Sequence, residues 1–366
     1  MPDLQTLADA TSWYREWLVD AALPLWASKG FDARADLFEE ALDPDATPKD
    51  APRRSRVQTR LIWTFARAAD EGLSPIGSTV AERAYDAYLA AYGRSGGFFA
   101  RVIDRGGSVM DETPALYEQA FTLLAMAALR EALPQRVDIT SRAASLREAL
   151  EGLRHPAGGF REAGGQPFQA NAQMHLLESA LAWERLEPGW TALADEIAGL
   201  ALDRFVDPVR GLVQEFFDTD WRPLPDDAGG LIEPGHQFEW AWLLNQWGRR
   251  RGEGAARAMA RRLYAAGLRG IDPARQVAVG SLWSDFRVRE PVAQIWAQTE
   301  FLRAALVFDD EAQALVAARS LAAFLETPTP GLWWDRMGSD GAFVVEPSRG
   351  TALYHVLGAA LPLLAR

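Results

Sequence analysis

The chain has 366 residues, 48% of them hydrophobic and 24% charged, with a formal net charge of −12. That profile belongs to a globular protein with a sizeable core, and its acidity excludes a general binder of nucleic-acid backbones, which needs a basic stripe. With no cysteine, disulfides, thiolate nucleophiles, zinc-thiolate sites and iron-sulfur clusters are excluded.

Along the chain, MPDLQTLADATSWYREW mixes charges where a signal peptide needs a basic start and an apolar run, so a cytoplasmic protein is expected. Apolar residues then recur at spacings of three and four in 12–28, 56–73, 115–133, 171–186 and 292–308, which predicts helices. The final run, 350–365, contains a histidine, a proline and two glycines, and reads as a buried last helix rather than a membrane span. No strict apolar–polar alternation persists for more than about five positions, so the fold should be all-α.

Glycine- and aromatic-rich turns punctuate the helices: GFDARADLF (30–38), GGFFARVID (96–104), GGFREAGG (158–165), GLVQEFFD (211–218), GSLWSDF (280–286) and GLWWDRMG (331–338). They recur about every 50 to 70 residues, which is room for two helices per unit. Six helical hairpins cannot each bury a face alone, so the array should close into an (α/α)6 barrel, one domain over 1–366. The helix ends and aromatic turns would then gather around one concave mouth, the default ligand site. Among 14 tryptophans, those in the turns either stack on sugar faces or wedge between helix pairs.

Four histidines are available. His155 lies in a turn and reads as a surface or capping residue. Asn171, His175 and Glu178 share one helical face, which points to a cavity; the alternative is a core histidine satisfied by Asn171 or Glu178. Pro234-Gly235 sets the entry of a helix whose first turn carries His236 and Glu239, so the carboxylate is expected to orient the ring and raise its basicity. Such a ring titrates near neutrality, as general acid/base work requires. His355 lies in the last apolar helix and needs a polar neighbour or a cavity. Ring closure would bring it to His175 and His236; no HExxH spacing is present, and a three-histidine metal site stays geometrically open.

Glu215, Asp218, Glu233, Glu239, Glu300 and Asp335 sit in or near mouth-facing segments, and a glycosidase would use two such carboxylates as acid and base. The pairing of histidines with carboxylates favours proton transfer at carbon instead.

The set RVQTR (56–60), LYEQAF (116–121), NAQMHLLES (171–179), EPGHQFEW (233–240), WAQTE (296–300) and YHVL (354–357) resembles the N-acylglucosamine 2-epimerase superfamily, from about residue 13 to the end. That superfamily includes mannose isomerases, sulfoquinovose isomerases and cellobiose 2-epimerases. The resemblance implies an (α/α)6 barrel, no cofactor, and metal-free proton transfer between C1 and C2 of a reducing sugar through a cis-enediol. It implies that His236 and His355 form the acid/base pair and that His175 helps ring opening or binding. Arg56 would bind sugar oxygens, with Tyr117, Asn171 and Glu178 as further contacts. Glu239 and Glu300 would hold histidines or hydroxyls, and Trp296 and Trp334 would line the pocket.

Ala172 and Ala297 stand where the family frequently has proline, which alters rigidity more than chemistry. The chain is shorter than many members, which favours a monosaccharide over a disaccharide. Only Arg53, Arg54 and Arg56 hint at a phosphorylated sugar, and Arg53 and Arg54 read as a solvated loop. The expected activity is mannose–fructose isomerisation, with lyxose as a further substrate. The alternatives are a 2-epimerase, an isomerase of a phosphorylated or sulfonated sugar, and a catalytically silent sugar binder. No nucleic-acid or membrane partner is expected, and the protein should be a monomer or homodimer.

Overall fold

The computed structural model describes residues 3–366, Asp226 by its backbone alone. Six inner helices, Ser55–Asp70, Leu116–Ala132, Ala170–Trp183, Pro234–Arg251, Ile295–Val307 and Thr351–Leu364, pack side by side in chain order, and the sixth returns to the first. These helices are buried almost all round, which is why their sequences lack a clean polar face. An outer layer of Gly77–Tyr92, Asp138–Leu150, Thr191–Leu200, Gly254–Leu268 and Glu311–Leu325 packs on the inner helix preceding each. The N-terminal helix Leu7–Glu16 completes that layer by packing against Thr351–Leu364. The array is therefore a closed (α/α)6 barrel.

Local signals explain several boundaries. Thr6 and Asp9 form a reciprocal capping box at the first helix. The same helix widens into a π-turn at Trp17–Ala22, just before Pro24, which has no N–H to continue the ladder. Pro234 occupies the first turn of the fourth inner helix, and Gly252, at φ 73°, ends it in the left-handed conformation.

A glutamine sets the register of five units. Gln58, Gln119, Gln173, Gln237 and Gln298 are buried at the fourth position of their inner helices. Each accepts from a backbone N–H and donates to the C=O of one residue in the preceding turn: Phe38, Phe99, Phe160, Val213 and Ala278. The side-chain amide thus acts as a strand partner and satisfies both backbone groups of that turn residue. In the sixth unit Tyr354 takes the glutamine's position, and the Ser348 hydroxyl serves the Trp333 backbone instead.

All six aromatic turns follow an outer helix and precede an inner one, so they share one end of the barrel with the inner helices' N-termini. Short strand pairs stitch neighbouring turns into a rim: Arg53–Arg54 with Val102–Ile103, Leu231–Ile232 with Ser281–Trp283, and Ala293–Gln294 with Arg336–Met337. Ser348–Arg349 pairs with Ala41–Leu42 and closes the ring between last and first units. Phe99, Phe160, Phe217 and Trp333 are buried in the core, so these turn aromatics wedge helices apart rather than face a ligand. Arg53 is 1% exposed and bonded to Asp32 and Glu39, in contrast to the solvated loop expected for it. Among the described residues no helix is long and apolar enough to cross a membrane.

Candidate active site

The glutamine register decides which side chains face the barrel axis. Two positions before it stand Arg56, Tyr117, Asn171, Gly235, Trp296 and Ala352; two positions after it stand Arg60, Phe121, His175, Glu239, Glu300 and Val356. Four residues separate the two sets, so each pair lies on one helical face one turn apart, as a mouth layer and a deeper layer. A cavity of about 270 Å³ opens at the N-terminal end, lined by Arg60, Tyr117, Asn171, His175, His236, Glu239, Trp296 and His355, with Glu233, Gln294, Asp335, Arg336 and Arg349 toward the rim.

His236 is 7% exposed, and its Nδ1 lies 2.9 Å from Glu215 Oε2. A carboxylate only accepts, so Nδ1 carries the hydrogen and Nε2 is the nitrogen left for the cavity. Burial pushes this imidazolium toward losing its proton, but Glu215 and Glu233 outweigh burial and raise its pKa to about 10. The orienting carboxylate is therefore Glu215 from the preceding turn, not Glu239. Glu239 stands one turn beyond His236 on the deeper layer and reaches His175 instead, at 3.5 Å. Burial and the Glu300 and Glu178 charges raise the Glu239 pKa well above the usual carboxylate range.

His355 has the same arrangement with the opposite result. Its Nδ1 lies 2.9 Å from Glu300 Oε1, and Glu300 Oε2 accepts from Trp242 Nε1 at 2.9 Å. Burial lowers its pKa and the Arg60 charge adds to that, against the Glu300 hydrogen bond. His175 is 2% exposed, edge-on to Tyr117, and held by burial to a pKa of about 4. The Trp296 ring lies between the two carboxylate-bound histidines, with centroids 5.1 Å from His236 and 6.2 Å from His355. A Cβ on Gly235 would stand 2.3 Å from that indole, so only glycine lets Trp296 lie across the first turn of the fourth inner helix.

Other expected site residues fall outside the cavity lining. Arg56 is bonded to Glu118 at 2.7 Å and lines an adjoining recess shared with Tyr117 and Asn171. One turn deeper, Arg60 lines the cavity itself: it donates to the Tyr117 hydroxyl at 2.6 Å, and its Nε has no partner among the described residues. The RVQTR motif contains both arginines, and the glutamine between them places Arg60 in the deeper layer. Glu178 is buried behind His175 and accepts from the Tyr354 hydroxyl at 2.6 Å; Glu300 is likewise a backing carboxylate. Trp334 lies away from the cavity, with its Nε1 on the Glu326 carbonyl and its ring against Phe343. His155 is 8% exposed and accepts from the Ala157 N–H within its turn, a capping role.

Among the described residues the metal-compatible group is His175, Glu178 and Glu239, whose ligand atoms lie within 4.8 Å of one another. Among the described residues the three histidines do not form a group whose ligand atoms lie close enough together to hold an ion.

Two solved structures share the closed (α/α)6 barrel across the chain. The cellobiose 2-epimerase from Spirochaeta thermophila DSM 6192 is 21% identical with a TM-score of 0.89, covering 100% of this chain and 98% of that one. A D-mannose isomerase is 20% identical with a TM-score of 0.87, covering 100% and 99%. The model of the N-acylglucosamine 2-epimerase family matches residues 37–359, and the chain belongs to that family. A mannose-6-phosphate isomerase of Rhizobium meliloti (strain 1021) is 43% identical over 366 residues, covering 95% of each chain.

Proposed function

We propose that the protein is an aldose–ketose isomerase that interconverts mannose and fructose, acting in the cytoplasm. One observation carries the reading: two cavity histidines, each bonded through Nδ1 to a buried carboxylate, have their pKa values driven apart. Near neutral pH this leaves His355 unprotonated and His236 protonated, a ready base and acid.

On the open-chain aldose, His355 removes the C2 proton while His236 donates a proton to O1, giving the cis-enediol. His355 then returns its proton to C1 as His236 takes the proton from O2, and the ketose forms with every proton accounted for. Arg60, which lines the cavity and whose charge lowers the His355 pKa, would stabilise negative charge on the sugar oxygens beside His355. His175, neutral at pH 7, would hold a hydroxyl or assist ring opening.

A 2-epimerase shares these steps until reprotonation, when the proton returns to C2 from the opposite face. It is the second reading, favoured by the cellobiose 2-epimerase likeness in fold.

The test is fructose formation from mannose by protein dialysed against EDTA, in wild type and in His355→Gln. Full activity after EDTA and a loss of about 10²- to 10⁴-fold in the variant are expected. Activity lost to EDTA and restored by a divalent cation would contradict metal-free transfer and turn attention to His175, Glu178 and Glu239.

A further inference from the structure

Three arginines line the cavity, and their partners differ with depth. Arg60 is the deep one, 6% exposed and beside the histidines, where the reacting C1 and C2 oxygens must lie. The two at the rim are already engaged. Arg336 donates to both oxygens of Glu346, at 2.6 and 2.8 Å. Arg349 stands 3.5 Å from Glu346 and 3.7 Å from Asp335.

Asp335 is 7% exposed and is held at both ends. Its backbone carbonyl caps the fifth inner helix by accepting from Ile295 N–H at 3.0 Å, and its Oδ2 accepts from Arg349 N–H at 3.2 Å. Glu215 has the same backbone role, capping Ala170 at the third inner helix, and its side chain serves His236. The barrel thus uses one turn position twice to aim a carboxylate inward, and only Glu215 has a histidine to serve. Glu233, 3.8 Å from His236 Nδ1, adds a second carboxylate to the same rim.

We propose that Asp335 is a specificity-determining residue that accepts hydrogen bonds from the distal hydroxyls of an uncharged sugar and disfavours a substrate phosphorylated at that end. This rests on the isomerase reading of the same cavity. Burial outweighs the Arg349 charge and raises the Asp335 pKa to about 7, so above that pH the carboxylate is ionised, a strong acceptor for hydroxyl donors with no proton to offer a phosphate dianion. A phosphate at the rim would meet Asp335 and Glu233 as like charges, and the charges of Arg336 and Arg349 are already offset by Glu346 and Asp335. The chain would then differ in substrate from its 43% identical relative, which has the phosphorylated sugar in its name.

The test compares wild type and Asp335→Asn on mannose and on mannose 6-phosphate at a pH about two units above the Asp335 pKa, with circular dichroism as the fold check. Wild type should prefer mannose by about 10²-fold or more in kcat/KM. Asp335→Asn should lose about 10- to 100-fold on mannose, mainly through KM, while its activity on mannose 6-phosphate holds or rises. Wild type that prefers the phosphorylated sugar, or uses both equally, overturns the inference and leaves the isomerase reading standing. Equal losses on both sugars, or a loss confined to kcat, would overturn the role of Asp335. Absence of conversion of either sugar would remove the isomerase reading and this inference with it.

Discussion

At the scale of single residues, the two histidines make a pH prediction with a definite sign. The base must be unprotonated, so kcat/KM falls as pH drops through the His355 pKa, which burial places below the ordinary 6.5. The acid must be protonated, so kcat/KM also falls as pH rises through about 10. A bell-shaped profile with an unusually high alkaline limb is expected, and Glu215→Gln should pull that limb down. An alkaline limb unmoved by Glu215→Gln would contradict the pairing. Gly235 makes a second prediction at this scale: Gly235→Ala should push the Trp296 indole off His236 and cost about 10²-fold in kcat/KM. A steady-state assay with a near-normal melting temperature would separate this from unfolding. The histidines were legible from EPGHQFEW and YHVL, but their partners were not. Glu215 and Glu300 come from other elements, 21 and 55 residues away in sequence. Spacing within a helix pointed to Glu239 instead, because helical periodicity ranks neighbours on one element and says nothing of the turn packed across its N-terminus.

At the scale of elements, the buried glutamines tie each turn to its inner helix, and the fold should answer to them one at a time. Gln237→Leu would leave the Val213 N–H and C=O buried without partners, at about 1–3 kcal/mol for each. Denaturant unfolding should show that loss, with catalysis reduced as well, since Glu215 lies two residues beyond Val213 in the same turn. A variant as stable as wild type would contradict the anchoring role. The same register explains what the sequence pattern left ambiguous. Apolar periodicity located the inner helices but could not rank Arg56 against Arg60, because both lie on one face. The glutamine two residues from each settles it by fixing height along the axis. Trp334 was misplaced for a related reason: adjacent residues in a short extended turn point to opposite sides. Trp333 stacks on Trp26 in the core, and its neighbour faces outward to Phe343.

At the scale of the whole molecule, six repeats place six helix N-termini around one cavity, so that groups from residues 60 to 355 meet in about 270 Å³. This much was readable from the spacing of the glycine-aromatic turns, since twelve helices in pairs with no capping repeat have to close. The closing contact itself, between Ser348–Arg349 and Ala41–Leu42, carries no sequence signal because a two-residue strand has no periodicity. Closure also places Tyr354 against Glu178 and His355 against Glu300, so the last helix completes the site begun by the third and fifth. The account stands or falls on where the proton goes. The most direct measurement is a proton and carbon NMR time course of mannose with the protein in D2O. Fructose carrying deuterium at C1 is the predicted product. Glucose with deuterium at C2, or mannose left unchanged, would contradict the isomerase.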